Sequence, residues 1–172
     1  YASLSIEGTY DVFFHLAWDK THGVSRNDVD IQFKNIEYSL DAIRLAHRSG
    51  CSAFIGAGSQ AEYGPVSASL SENTPINPQN SYGIAKYTVC KLGAILAKSL
   101  GIRFNWIRVL SVYGSKDNPN TLIMYAINEM LNNRSPELTK CEQIWDYLFE
   151  KDAAEAFYAI GKKGNDGQVY VL

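Results

Sequence analysis

The sequence is poor in the features that hold small exported proteins together or carry a chain into a membrane. It has only three cysteines, Cys51, Cys90 and Cys141, an odd number with no CxxC and no His/Cys ligand spacing. That pattern argues against a disulfide framework and against a structural metal site, and free thiols are the simpler reading. No segment approaches the 18 or more unbroken apolar residues that span a bilayer. Charge of neither sign dominates: the formal net charge is −2, and neutralising nucleic-acid phosphates needs clustered Lys and Arg. The opening residues YASLSIEGTYD have neither the basic start nor the apolar core of an export signal. There is no internal repeat, low-complexity tract or charge block. The expectation is a cytoplasmic chain whose partners are small molecules and other protein chains, not nucleic acid and not a membrane.

What remains is ample for one core: 172 residues, 46% of them hydrophobic and 20% charged, the size of a single compact domain. Asp11 to Trp18 (DVFFHLAW) is a short, nearly continuous apolar run, the pattern of a strand covered on both faces of a parallel sheet. Cys51 to Gly58 and Phe104 to Tyr113 read the same way. Between them lie helical periodicities, Ile36, Leu40, Ile43 and Ala46, then Tyr82, Ala85, Val89, Leu92, Leu96 and Leu100. Gly50 and Gly101 follow the last periodic residues as helix stops. Strand, helix, strand, helix, strand predicts an α/β fold with a doubly wound parallel sheet. Beyond Gly114 the sequence predicts a helix from about Thr121 to Asn132, a mixed segment containing QIWDYLF, a helix from about Lys151 to Ile160, and a last strand over Gln168 to Leu172.

The strongest chemical signal is SYGIAKYTVCK, in which Tyr82 and Lys86 stand four apart at the head of a helix and so share one face. A phenol is a poor base at neutral pH. An ammonium about 5 Å away, at an effective dielectric near ~20, would favour the phenolate by roughly 3 kcal/mol, or about two pH units. Ser59, at the end of the second predicted strand, would meet that pair, because doubly wound sheets bind ligands outside the carboxyl ends of their strands. Its hydroxyl could hydrogen-bond a substrate oxygen whose charge changes during reaction. The plainer alternative for each aromatic or hydroxyl residue is packing.

These pieces resemble a known family, the extended short-chain dehydrogenases/reductases, which include sugar-nucleotide epimerases, dehydratases and reductases. The matching segments are DVFFHLA (Asp11 to Ala17), Asn35, GSQAEYG (Gly58 to Gly64), P-x-x-x-YGIAK (Pro78 to Lys86), RVLSVYG (Arg108 to Gly114) and WDYLFEKDAA (Trp145 to Ala154), in the family's order. The resemblance implies a Rossmann-like NAD(P)-binding domain and a nucleoside-diphosphate-sugar substrate. It implies that Tyr82 is the general acid/base, that Lys86 also holds the nicotinamide ribose, and that Ser59 positions the reacting sugar oxygen. Ala17 and Asn35 fall on its cofactor side, and residues 115–172 contribute to its substrate side.

The family begins with a strand, a glycine-rich turn and a helix that hold the cofactor pyrophosphate, and nothing before Asp11 supplies them. The expectation is therefore one partial domain over residues 1–172, lacking the first part of the dinucleotide-binding half. Its first strand would be left with an unpaired edge and the chain would associate into a homo-oligomer. GAGSQA (Gly56 to Ala61) imitates a phosphate loop, but Gly64 and Pro65 come where that fingerprint needs a continuing helix, and Glu72 falls in a loop where an acidic ribose ligand is wanted. Trp145 stands where many sugar-nucleotide relatives carry Arg, and Gln60 and Ala61 stand where dehydratases carry an acidic pair. Epimerase and ketoreductase readings therefore lead over dehydratase, with a catalytically inactive fold relative or binding module as the alternative. His15, Trp18, Tyr63 and Tyr113 read mainly as packing residues, and Arg108 as a structural ion-pair or hydrogen-bond donor.

Overall fold

The computed structural model describes residue 4, residues 6–142 and residues 144–172. Strand β1 (Val12–His15) leads through a 3-10 turn, Val24–Asn27, into helix α1 (Val29–Arg48). The Asp28 side chain caps α1 by accepting a hydrogen bond from the Ile31 amide at 3.0 Å. Strand β2 (Ala53–Ser59), a second 3-10 turn (Gln60–Glu62), helix α2 (Ser81–Ser99) and strand β3 (Arg103–Val109) follow. After β3 come β4 (Val112–Tyr113), α3 (Leu122–Leu131), β5 (Leu148–Phe149), α4 (Glu150–Lys163) and β6 (Val169–Val171). The two predicted helix stops are left-handed glycines, Gly50 at φ +77° and Gly101 at φ +69°.

The main sheet runs β1-β2-β3-β6, with every pair parallel. Because residues in register on neighbouring strands share a face, Phe13, Phe54 and Phe104 line up across β1, β2 and β3. Their rings stack at 5.6 and 5.9 Å, and Trp106, two residues along β3, extends the row at 6.1 Å. This aromatic row meets Ala42, Ile43 and Ala46 of α1 and Val89, Cys90 and Ala97 of α2 in the main core. The opposite face carries Phe14, against which Gly161 of α4 packs so closely that an added Cβ would overlap the ring. Helices thus cover both sides, and the α/β parallel-sheet expectation is met.

Two expectations need correcting. β1 is not covered on both faces: Phe14 is 39% exposed, and among the described residues β1 pairs only with β2. The edge position is the one expected of this first strand, but the apolar run alone does not encode it. The run Phe104 to Tyr113 is not one strand either. At Leu110 the amide turns to the Leu172 carbonyl, and Val112–Tyr113 leaves to pair in parallel with Leu148–Phe149, part of the segment whose structure the sequence left mixed.

The two glycines of β2 leave room for Trp106 across the strand: an added Cβ at Gly56 would overlap the indole ring. Gly56→Ala is expected to cost about 1–3 kcal/mol of stability through overpacking. Denaturant unfolding would read this as a lower midpoint at constant slope, and an unchanged midpoint would mean that Trp106 can step aside freely.

Candidate active site

The turn that ends β2 is built around one buried carboxylate. Ser59 caps the short turn Gln60–Glu62, its Oγ accepting from the Ala61 amide at 3.2 Å, while Glu62 Oε1 accepts from the Ser59 amide at 2.9 Å. That reciprocal pair is a capping box, legible as S-x-x-E. Glu62 is fully buried and does more than cap. Its Oε1 also accepts from Trp106 Nε1 at 2.9 Å, and its Oε2 accepts from Arg108 Nε at 2.9 Å. Arg108 in turn donates to the Tyr63 hydroxyl at 3.1 Å, which donates to the Ser71 carbonyl at 2.8 Å. Arg108 is thus the structural ion-pair donor expected of it. Glu62 went unassigned in the sequence although it sits inside the quoted GSQAEYG segment.

Helix α2 starts directly against this turn. Asn80 caps it by accepting from the Gly83 amide at 2.8 Å, and Gly83 lies so near the Ala61 carbonyl that any side chain there would overlap backbone. The close approach sets Tyr82, on the first turn of α2, beside the turn that Ser59 caps. Lys86 lies one turn on, with its Nζ 5.7 Å from the centre of the Tyr82 ring. Ser59, Tyr82 and Lys86 therefore converge at the carboxyl end of β2.

The electrostatics differ from the sequence expectation. Burial pushes the Tyr82 phenol above its ordinary value, against the opposing pull of the Ser59 side chain and the Arg26 charge. The ammonium points elsewhere: Nζ donates to the Ala57 carbonyl at 2.6 Å and lies 3.9 Å from the centre of the Trp18 ring. With only 3% of Lys86 exposed, loss of hydration lowers its pKa to about 7, although the Glu62 charge acts to raise it. Helical spacing gave the distance but not the dehydration. The cation that the sequence missed is Arg26, whose Cζ lies 4.5 Å from the centre of the Tyr82 ring.

Ala17 and Asn35 line a cleft of about 480 Å³ beside this site, together with His15, Trp18, Asp19 and Ser39. Asn35 also works on the backbone: its side chain accepts from the Asp19 amide at 3.0 Å and donates to the Asp19 carbonyl at 2.9 Å. Gln32 accepts from Trp18 Nε1 at 2.8 Å, so α1 pins the loop after β1. Trp18 joins cleft to site, since it also meets the Tyr82 ring edge-on at 6.0 Å. His15 is neutral at pH 7, its pKa lowered to about 4 by burial and then by the Lys86 charge. Gly56 to Ser59 are strand, so GAGSQA is no phosphate loop. Among the described residues, no group of three or more His, Cys, Asp or Glu is placed to hold a metal ion, and no helix is long and apolar enough to cross a membrane.

Lys86 is charged in the unfolded chain up to pH 10.5 but in the folded chain only to about pH 7. Between those values the unfolded state binds more protons, so this residue's contribution to stability rises with pH, by up to about 1.4 kcal/mol per pH unit. Lys86→Met should therefore stabilise the fold most below pH 7, with the advantage over the unaltered chain shrinking toward pH 10. Paired urea titrations at pH 6, 8 and 9.5 would measure it, and a difference that does not vary with pH would refute the dehydrated ammonium.

Residues 3–172 match the family described as NAD dependent epimerase/dehydratase. A Bacillus subtilis (strain 168) protein described as an uncharacterized UDP-glucose epimerase, YtcB, is 27% identical over 161 residues, which are 90% of this chain and 50% of that protein. Among solved structures, UDP-glucuronic acid 4-epimerase from Bacillus cereus in complex with NAD superposes with a TM-score of 0.77 at 22% identity, over 94% of this chain and 53% of that one. RMD from Pseudomonas aeruginosa complexed with NADPH gives a TM-score of 0.81 at 21% identity, over 94% and 60% respectively. At such identities the two structures establish the Rossmann-type fold, and the chain spans about half the length of the relatives it matches. A family match over nearly the whole chain and a shared fold agree with the motif order: the chain belongs to the NAD dependent epimerase/dehydratase family.

Proposed function

We propose that this chain carries the acid/base site of an NAD(P)-dependent oxidoreductase or epimerase acting on a nucleoside-diphosphate sugar. The observation that carries the reading is the convergence of Ser59, at the carboxyl end of β2, with Tyr82 and Lys86 on the first turns of α2. That the Bacillus relatives are named as epimerases favours removal and return of hydride at one sugar carbon, with proton exchange on its oxygen, over net reduction. Residues 115–172 serve the substrate side, though β6 within them returns to the main sheet.

The residues fit the ribose and nicotinamide end of such a cofactor. Lys86 gives one N–H to Ala57 and keeps two more for a diol, and Trp18, which covers it, is a wall of the adjacent cleft. They do not fit the pyrophosphate end, because among the described residues no glycine-rich turn opens a helix beside that cleft. When bound, the nicotinamide would accept and return hydride. Ser59 would hold the sugar oxygen by hydrogen bond, and Tyr82 would take that oxygen's proton and give it back. Trp18 and Ala17 would keep water from the exchange. We place the enzyme in the cytoplasm, in keeping with its three free cysteines, and expect it to work as a homo-oligomer.

Tyr82→Phe keeps the ring's packing and removes the transferable proton, so turnover of a nucleotide sugar by the whole protein carrying this sequence should fall by roughly 10²- to 10⁴-fold with little loss of stability. Lys86→Met should chiefly weaken cofactor binding, which calorimetry with NAD(H) and NADP(H) would register. Near-full turnover in Tyr82→Phe would end the acid/base assignment.

A further inference from the structure

Trp145 belongs neither to the core nor to the constellation of Ser59, Tyr82 and Lys86. It is 53% exposed, yet it is held in place. Its Nε1, the one polar atom of the side chain, donates to Ser111 Oγ at 2.5 Å. Ser111 is itself pinned: its carbonyl accepts from the Leu148 amide at 2.9 Å, directly after the Leu110 amide has turned to the Leu172 carbonyl. With its N–H satisfied, the indole offers its surroundings apolar ring surface anchored at one edge.

Strand register sets where that surface lies. Val109 is in register with Ser59, and Ser111 follows it by two residues. Strand spacing and the reach of two residues therefore keep the Ser111 Cα within about 12 Å of the Ser59 Cα. The indole is thus anchored just past the carboxyl end of β3, on the side of the sheet ends where folds of this kind bind ligands. The ribbon of β4 and β5 has its own aromatic contact, Tyr113 against Phe149 at 5.6 Å. Charge decides what the indole can meet. Between Arg134 and Lys151 stand four carboxylates, Glu137, Glu142, Asp146 and Glu150, and one cation, Lys140, so this segment favours an uncharged part of a ligand over its phosphates.

We propose that Trp145 is a specificity-determining residue of the substrate side, a platform on which a ring face of the nucleotide sugar, nucleobase or pyranose, stacks. This rests on the reading that the substrate is a nucleoside-diphosphate sugar. The segment then selects its ligand by ring and not by charge. Tryptophan suits the task because it presents a large, rigid area with little conformational freedom to lose. Removing an aromatic platform from under a nucleobase weakens binding by about 5- to 100-fold.

The test measures binding by the whole protein carrying this sequence, with cofactor present and apart from turnover. UDP-glucose and dTDP-glucose are titrated by calorimetry, and the tighter of the two is carried through the variants. Trp145→Ala should weaken it by about 5- to 100-fold with the unfolding midpoint hardly moved. Trp145→Phe should recover most of the loss, and Trp145→Leu, which restores bulk without a π face, should not. The matching nucleoside diphosphate separates the two sources: an equal loss for it assigns the stack to the nucleobase, and an intact affinity assigns it to the pyranose. Unchanged affinity for the nucleotide sugar in Trp145→Ala, or full recovery in Trp145→Leu, would overturn the platform while leaving the substrate reading in place. No binding of either nucleotide sugar by the unaltered protein would overturn both.

Discussion

Everything at the carboxyl end of β2 depends on one dehydrated carboxylate. Glu62 is fully buried, and such a charge is tolerable only when hydrogen bonds and an opposite charge replace the water it lost. Here the Ser59 amide, the Trp106 indole and the Arg108 guanidinium replace it from three places in the chain. The consequences are geometric. Ser59 is locked at the strand end, the glycines of β2 leave space for the indole, and the turn is shaped so that Gly83 and therefore Tyr82 can approach the Ala61 carbonyl. The ion pair is better regarded as fixing one arrangement of the turn than as adding net stability.

The same neighbourhood accepts an energetic cost at Lys86. An ammonium this dehydrated opposes folding at neutral pH, and a methionine would fill the space more cheaply. A residue retained against its own contribution to stability fits a site better than a scaffold, which is why perturbed ionisations collect where chemistry is done. Division of labour among the cations follows. Lys86 is held by Ala57 and Trp18, while Arg26 lies against the Tyr82 ring.

Much of the architecture is legible in the sequence because apolar runs and helical periods report burial directly. The run at Cys51 to Gly58 becomes β2 and the stripe from Tyr82 to Leu100 becomes α2, each ended by the kind of residue that local sterics demand. The meeting of Ser59, Tyr82 and Lys86 is legible too, since it follows from strand end and helix head. Partnership is harder to read. The edge position of VFFH follows only from the family resemblance and not from its own pattern, and nothing in RVLSVY marks the break at Leu110, because hydrogen-bond partners lie far away in sequence. Arg26 lies in an aperiodic segment and carries no signal at all, whereas Glu62 carried one in S-x-x-E and was passed over. The dehydration of Lys86 is not legible, because spacing fixes distance while solvation decides strength.

The central claim is that the Glu62 carboxylate is the keystone of the site. Glu62→Gln keeps the shape, loses the charge and replaces one acceptor by a donor, leaving Arg108 buried without its counter-ion. Its unfolding free energy, measured in denaturant at pH 7 beside that of the unaltered chain, should fall by about 3–5 kcal/mol. A loss below about 0.5 kcal/mol, the range of an ordinary surface substitution, would mean that the turn holds itself and that the account is wrong about what it depends on.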